Sequence, residues 1–408
     1  MNLKELYLLA EGGAVGHLMH LYDNPELTFG EIKSILQSAA TGKLQKATEK
    51  FDGLNIVFTW NNSAGQLLVA RSAGDIKRGG MNAAELASKF SGRGNLKDAF
   101  DSAFSILSGA IKSLPQQKIV SVFGEKGDKW YSAEVIYTEN PNVINYDSNT
   151  IVFHGWPVFE IEEGKVQASD DRSGVDILSS YVGKMQAAVA NRGWQVKGPA
   201  IVRLSKLSNN SIVEKTLSSI DSMVESVGLD DSATIQQYLS RKLSDDLSEF
   251  GFNKKIKNMI IDRVLGVPDA PTLNDIKKNI EKTQYETAAA FVKASQKLLQ
   301  GYIRPLELSI NDFAVELLRG LESTLIEDSG AEVERLKQAT SSAISAIEAS
   351  GNNNAMEVLR SQMQKLKSLE NITSPVEGVV FVYKGNAYKF TGSFAAANKI
   401  LGIFRYGR

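Results

Sequence analysis

The chain has 408 residues, 43% hydrophobic and 23% charged, with a formal net charge of -1. This suits a soluble globular protein of two or three domains, and it excludes polyanion binding by bulk charge, so any nucleic-acid contact has to come from a local basic surface. Cysteine is absent, which excludes disulfides and thiolate metal sites and suits a reducing cytoplasm.

The opening Met1-Asn2-Leu3-Lys4-Glu5 does not read as a signal peptide, and no apolar run is long enough to span a bilayer. From residue 1 to about 165 short helices alternate with β-rich runs. Lys46 to Trp60, Gln66 to Ser72, Ile119 to Gly124, Trp130 to Tyr137 and Thr150 to Ile161 read as strands, rich in β-branched and aromatic residues between turns. Asn61 to Gly65 forms the hairpin loop between the first two. Residues 81 to 113 read as helix with a break at Gly92-Arg93-Gly94. A helix over Val175 to Asn191 then leads to a strand over Trp194 to Leu204.

From about 208 to 370 the pattern is helical. Pro268 with Pro271 marks one break, and Pro305 interrupts a later helix. Val333, Leu336, Thr340, Ala343 and Ile347 form one stripe; Met356, Leu359, Met363 and Leu366 form another, with Gly351-Asn352-Asn353-Asn354 as the turn of an antiparallel helical hairpin. The competing reading is a stripe that binds a partner coiled coil. After Pro375 the texture returns to β. Val379 to Tyr383 and Ala387 to Phe390 flank Lys384-Gly385-Asn386 as a hairpin, and a helix over Phe394 to Leu401 follows. The expected architecture is one α+β domain split in sequence. Residues 1–207 form its N-terminal portion, residues 208–370 a helical insertion, and residues 371–408 its C-terminal portion.

The residues that carry chemistry begin at Glu49-Lys50-Phe51-Asp52-Gly53-Leu54-Asn55. A lysine amine attacks a phosphate only when deprotonated, and burial or neighbouring cations activate it. Asp52 and Gly53 supply a tight turn that aims Lys50 into a cleft. Strand-borne polar residues follow in order: Arg71, Glu134 in Trp130 to Tyr137, the aromatic strand Ile151 to Phe159, Glu377-Gly378-Val379-Val380, and Lys389.

Order and residue types resemble the covalent nucleotidyltransferases, the ATP-dependent RNA and DNA ligases and mRNA capping enzymes. Their pattern is Lys-x-Asp/His-Gly, a downstream Arg, a Glu on a strand, an aromatic strand, a Glu-Gly-Val-Val-like segment and a lysine strand. Asn55, two residues after Gly53, is closer to the RNA-ligase branch. The phrasing Asp23 to Lys33, Thr48-Glu49-Lys50 and Phe153-His154-Gly155 is similar to nucleotidyltransferases of tailed phages; the expected location is the cytoplasm, that of the host if the chain is phage-encoded. The resemblance covers about 30 to 165 and 374 to 392.

It implies an antiparallel-sheet, ATP-grasp-like ligase domain with ATP and Mg²⁺ as cofactors. Lys50 would be the nucleophile that takes AMP. The nucleotide would be held by Glu49, Asp52, Gly53, Asn55, Arg71, Glu134, Phe153, Lys384 and Lys389. In this pattern Arg71 binds phosphate or ribose, Glu134 the ribose hydroxyls, and Phe153 stacks on the base. Glu377 would hold the metal, and Lys389 would neutralise phosphate charge. The family's last motif has two lysines one residue apart; here Ala387 and Thr391 flank Lys389, and Lys384 is the substitute. The pattern in DNA ligases and capping enzymes leads one to expect an OB-fold after the last motif, and the residues up to Arg408 do not read as one.

Each assignment has a plain competitor: a surface arginine, a solvent-facing Glu134 (with Glu125 as rival), and a core Phe153 (with Phe159 as rival). His154 reads as a satisfied buried histidine. His17, His20 and His154 lack metal-ligand spacing, which argues against zinc. Lys77, Arg78, Lys89 and Arg93 form either a polynucleotide-binding patch or a solvated face.

The leading functional expectation is sealing of 5′-phosphate and 3′-hydroxyl ends of nucleic acid, RNA first. The alternatives are transfer to a non-ligation acceptor, and a degenerate ligase fold serving as a phage binding or virion-associated protein. A protein partner would use the helical module, and no membrane is involved.

Overall fold

Three residues, Phe51-Asp52-Gly53, separate two strands that enter different sheets. In this computed structural model, which describes residues 18–44, 46–169 and 172–406, β1 (Thr48–Lys50) ends where β2 (Leu54–Asn61) is about to begin. The opening segment with His17 lies outside the described residues. The chain divides into two compact units. One holds Lys46–Arg203 and Leu318–Arg408; the other holds Met19–Gln45 and Leu204–Leu317.

The first unit carries the sheets and is mixed helix and antiparallel strand. Its larger sheet runs β3 (Gln66–Ala70), β2, β4 (Trp130–Ile136), β5 (Asn149–Glu162), β6 (Lys165–Ser169), and β7 (Trp194–Lys197) pairs in parallel with β5. Side chains alternate across a strand. Ile56, Phe58, Tyr131, Ala133, Val135, Ile151 and Phe153 therefore share one face, and they bury with Phe100, Ile106, Leu107, Phe123 and Leu178 from the helices Asn95–Lys112, Gln116–Phe123 and Ser173–Val189. The register pairs Asn55 with Glu134 and Val57 with Ser132, which puts these four residues on the opposite face.

The smaller sheet has the order β1, β8 (Gly378–Tyr383), β9 (Asn386–Thr391). The hairpin between β8 and β9 turns on Lys384 and Gly385, with φ of 47° and 75°. Two successive positive φ values mark the tight turn whose twist suits a hairpin. A second core holds Phe51, Ile136, Val152, Leu336, Ile347, Leu359, Leu366, Phe394 and Ile400. It packs the helical hairpin Ser329–Ser350 and Asn353–Leu366 with the helix Ser393–Tyr406 and the turn after Lys50.

The second unit is helical: Phe29–Ala40, Asn210–Glu225, Ile235–Leu247, Lys254–Leu265, Leu273–Lys277 and most of Lys282–Leu318. Thr28 and Glu31 close its first helix with a reciprocal capping box, which satisfies amides that the helix leaves open.

Three expectations need correction. Ile119 to Gly124 is not a strand but the end of the helix Gln116–Phe123, started by Pro115; Ile119, Val122 and Phe123 bury one face at helical spacing. Pro305 does not interrupt its helix, which runs from Lys282 to Leu318. The buried stripe Leu299, Ile303, Leu306, Ile310, Phe313 continues through it, so packing outweighs the hydrogen bond a proline removes. The helical region 208–370 is also not one body: its portion from Leu318 onward belongs to the sheet-bearing unit, while residues 19–45 join the helical one. The buried stripe of Ser329–Ser350 faces the final helix and Phe51, which explains that placement.

Candidate active site

The backbone register brings the two ends of the motif set together. Lys50 is paired with Gly378 across β1 and β8, and the preceding residue, Glu377, reaches the lysine: Lys50 Nζ lies 2.5 Å from Glu377 Oε1. The two side chains are only 22% and 12% exposed. Gly378 is required by this packing, because a Cβ there would stand 2.2 Å from the carbonyl oxygen of Phe390. Thr48, Val380 and Lys389 are in register across the three strands. Lys389 therefore shares the sheet face of Lys50, about 12 Å away by strand spacing and rise.

The larger sheet contributes Asn55, Glu134 and His154. Glu134 Oε2 is 3.1 Å from His154 Nε2, and Gly53 lets the turn press against it: a Cβ at residue 53 would come within 2.7 Å of the Glu134 side chain. Arg71, just past β3, donates through Nη1 to the Asn55 carbonyl and lays its guanidinium 4.8 Å from the Phe100 ring centroid. The side-chain oxygen of Asn55 is buried with no hydrogen-bond partner, as are the hydroxyls of Ser132 and Thr59 on the same face. A buried acceptor of this kind costs free energy until a donor reaches it.

Electrostatics follow from crowding. Burial pushes Glu377 up to about 7, and the nearby Asp52 and Glu134 carboxylates add to this while Lys50 opposes it. Burial alone would lower Lys50, but the Glu377 charge and hydrogen bond, with Glu134 and Asp52 behind them, turn the net shift upward. The lysine is therefore a charged ammonium in this state, one cation among three carboxylates. Arg71 is shifted down, chiefly by burial. Among the described residues no group of three or more His, Cys, Asp or Glu side chains is placed to hold a metal ion.

Other expected residues have different work. Glu49 points to the opposite face of β1 from Lys50 and accepts from Ser323 Oγ (2.5 Å), Thr324 N (2.8 Å) and Thr324 Oγ1 (2.7 Å). Asp52 holds a loop: its Oδ2 accepts from the amides of Val143 (2.7 Å) and Ile144 (3.0 Å), while its own amide donates to Tyr146 OH. Phe153 is buried against Phe58, with ring centroids 5.5 Å apart, on the helix-covered face opposite Glu134. Lys384 sits at the hairpin tip, six residues along from Gly378 and so about 20 Å from Lys50. Glu49, Phe153 and Lys384 do not join the cluster around Lys50, and Asp52 acts on it only through its charge.

The reading from residues alone missed three partners of the expected site residues. His154 is the satisfied, mostly buried histidine expected, and the unforeseen part is that its partner is Glu134. Ser323 and Thr324, which fix the residue beside Lys50, lie in a stretch that carries no motif. Comparison with protein-family models, curated proteins and solved structures finds no match.

Proposed function

We propose that this chain is a lysine nucleotidyltransferase of the RNA-ligase type. Lys50 Nζ attacks the α-phosphorus of ATP; a P–N bond forms, the bond to the bridging oxygen breaks, and pyrophosphate leaves. The AMP then passes to a 5′-phosphate, from which a 3′-hydroxyl displaces it to seal the strand. The observation that carries this reading is the Lys50–Glu377 contact at 2.5 Å, in which residues far apart in sequence meet at the paired ends of β1 and β8.

One buried carboxylate, Glu377 beside Lys50, is a donor suited to a divalent cation that brings phosphate ligands of its own. Magnesium takes one or two protein carboxylates and completes its shell with phosphate oxygens and water, and Glu377 is the side chain that would hold it. When bound, the ion would neutralise charge on the transferring phosphates. Lys50 must lose a proton to attack. Once the Glu377 charge is neutralised, burial is the strongest remaining influence on the lysine, and it favours the neutral amine.

Glu134, held by His154, and the unpartnered Asn55 oxygen provide acceptors for the hydroxyl or amino donors of a nucleoside. Lys389 adds positive charge on the Lys50 face, and Arg71 does so at the edge of the larger sheet. No helix among the described residues is long and apolar enough to cross a membrane.

The test uses two RNA strands aligned on a complementary splint, one with a 5′-phosphate and the other with a 3′-hydroxyl, with ATP and Mg²⁺. Joined product, or 5′-adenylated RNA, supports the reading. AMP on Lys50 without either product points to a different acceptor.

A further inference from the structure

At the β3 edge of the larger sheet, basic side chains form a continuous track outward from Arg71. The Arg71 guanidinium lies 4.8 Å from the Phe100 ring centroid, Phe100 lies 4.4 Å from Phe90, and Arg93 lies 5.5 Å from Phe90. One arginine beside Glu134 is thus linked through two tilted, touching rings to an exposed arginine. Asp75 gathers the rest. Its buried carboxylate accepts the Arg71 amide (3.0 Å) and pairs with Lys89 (2.8 Å) and Arg78 (2.6 Å).

Asp75 is 3% exposed, so it anchors cations and shows almost no negative surface, while Arg78 and Lys89 are 72% and 39% exposed. Lys77 and Arg93 are also exposed. The other acid here, Glu85, is engaged at the Asn82 amide, 2.9 Å away. Between residues 71 and 93 five cations stand against these two acids, in a chain whose net charge is -1. Gly79, Gly92 and Gly94 have positive φ and open space where a side chain would be, so the backbone between the cations is bare and approachable.

We propose that this track binds the phosphodiester backbone of a single-stranded nucleic acid and leads it toward Lys50. The proposal rests on the ligase-like reading for what the strand does, but not for its binding. The contact steps put the two ends of the track at most about 15 Å apart, a span that covers more than one phosphate of a single strand. A single phosphate metabolite would engage one end only.

The test is fluorescence anisotropy without ATP, using a labelled single-stranded RNA of about 12 nucleotides, a length in the range of ordinary single-strand sites. Lys77→Gln with Arg93→Gln leaves the partners of Asp75 in place. This pair should weaken binding about tenfold at low salt and reduce the slope of log affinity against log salt by about 1.4, from about 0.7 per lost phosphate contact. Arg78→Gln with Lys89→Gln should do the same, with folding checked by circular dichroism.

Unchanged affinity and slope in the folded Lys77/Arg93 variant would overturn the proposal. So would binding to anionic lipid vesicles with none to the oligonucleotide. If Lys50 takes no AMP while RNA binding still depends on these residues, the track stands and the ligase reading falls. If Lys50 takes AMP while binding ignores these residues, the track falls alone.

Discussion

Replacing Glu377 by Gln should make Lys50 more nucleophilic in the absence of any substrate. Gln keeps the shape and removes the charge that holds the ammonium protonated at 2.5 Å. At an effective dielectric of about 20, unit charges near contact attract by about 4 kcal/mol, and each 1.36 kcal/mol is tenfold in a protonation equilibrium. Asp52 and Glu134 remain and retain some of the upward pull. The neutral fraction of Lys50 at pH 8 should therefore rise by on the order of 10²-fold.

The assay is competitive acetylation with trace acetic anhydride, followed by mass spectrometry of the Lys50 peptide, normalised to an exposed lysine such as Lys254. Lys50 is 22% exposed, which gives a small reagent access. A Lys50 rate that is unchanged or lower in the Gln variant would refute the reasoning. The same variant should still be poor at AMP transfer, because it also loses the carboxylate proposed for the metal.

Asp75 is held down to about 2 against an ordinary value of 3.8 by its Lys89 and backbone partners, which overcome the opposing effect of burial. A depressed carboxylate stabilises above its unfolded value and loses that stability as pH falls from about 4 to 2; Asp75→Asn should cost about 2 kcal/mol at pH 7 and flatten this limb of a denaturation series. Leu336 is fully buried in the second core, so Leu336→Ala should cost about 2–5 kcal/mol in urea unfolding; a loss below about 1 kcal/mol would contradict that packing. His154→Ala should slow AMP transfer about 10- to 100-fold by freeing Glu134, as expected for a lost hydrogen bond to a charged group. His154→Gln should recover some of it, and equal rates in all three proteins would remove His154 from the site.

Lys50 and Glu377 were legible as one site only through the motif order, with Glu377-Gly378 opening a strand and the β texture after Pro375 calling for a partner strand. The stripe from Val333 to Ile347 was legible for the same reason that it is buried: helical spacing. Its destination was not, since periodicity says which face is apolar and not what covers it. Phe153 could not be assigned to a face, because residues 151–153 are buried on both sides of the sheet and alternation then carries no signal. Ile119 to Gly124 is a short apolar run of the kind that fits a strand or a helix equally. The bonds from Glu49 to Ser323 and Thr324 join distant residues through ordinary hydroxyls and a backbone amide, and no local pattern marks them.

The central claim is that Lys50 becomes covalently bonded to a nucleotide. Purified protein should be incubated with Mg²⁺ and α-labelled ATP, and separately with α-labelled GTP, then denatured and analysed by gel and peptide mass spectrometry. The account predicts one AMP per chain on Lys50, stable to denaturation, released by pyrophosphate, and absent from Lys50→Ala. Protein that folds and binds ATP yet carries no label, or a Lys50→Ala variant labelled as strongly as the natural chain, would contradict it.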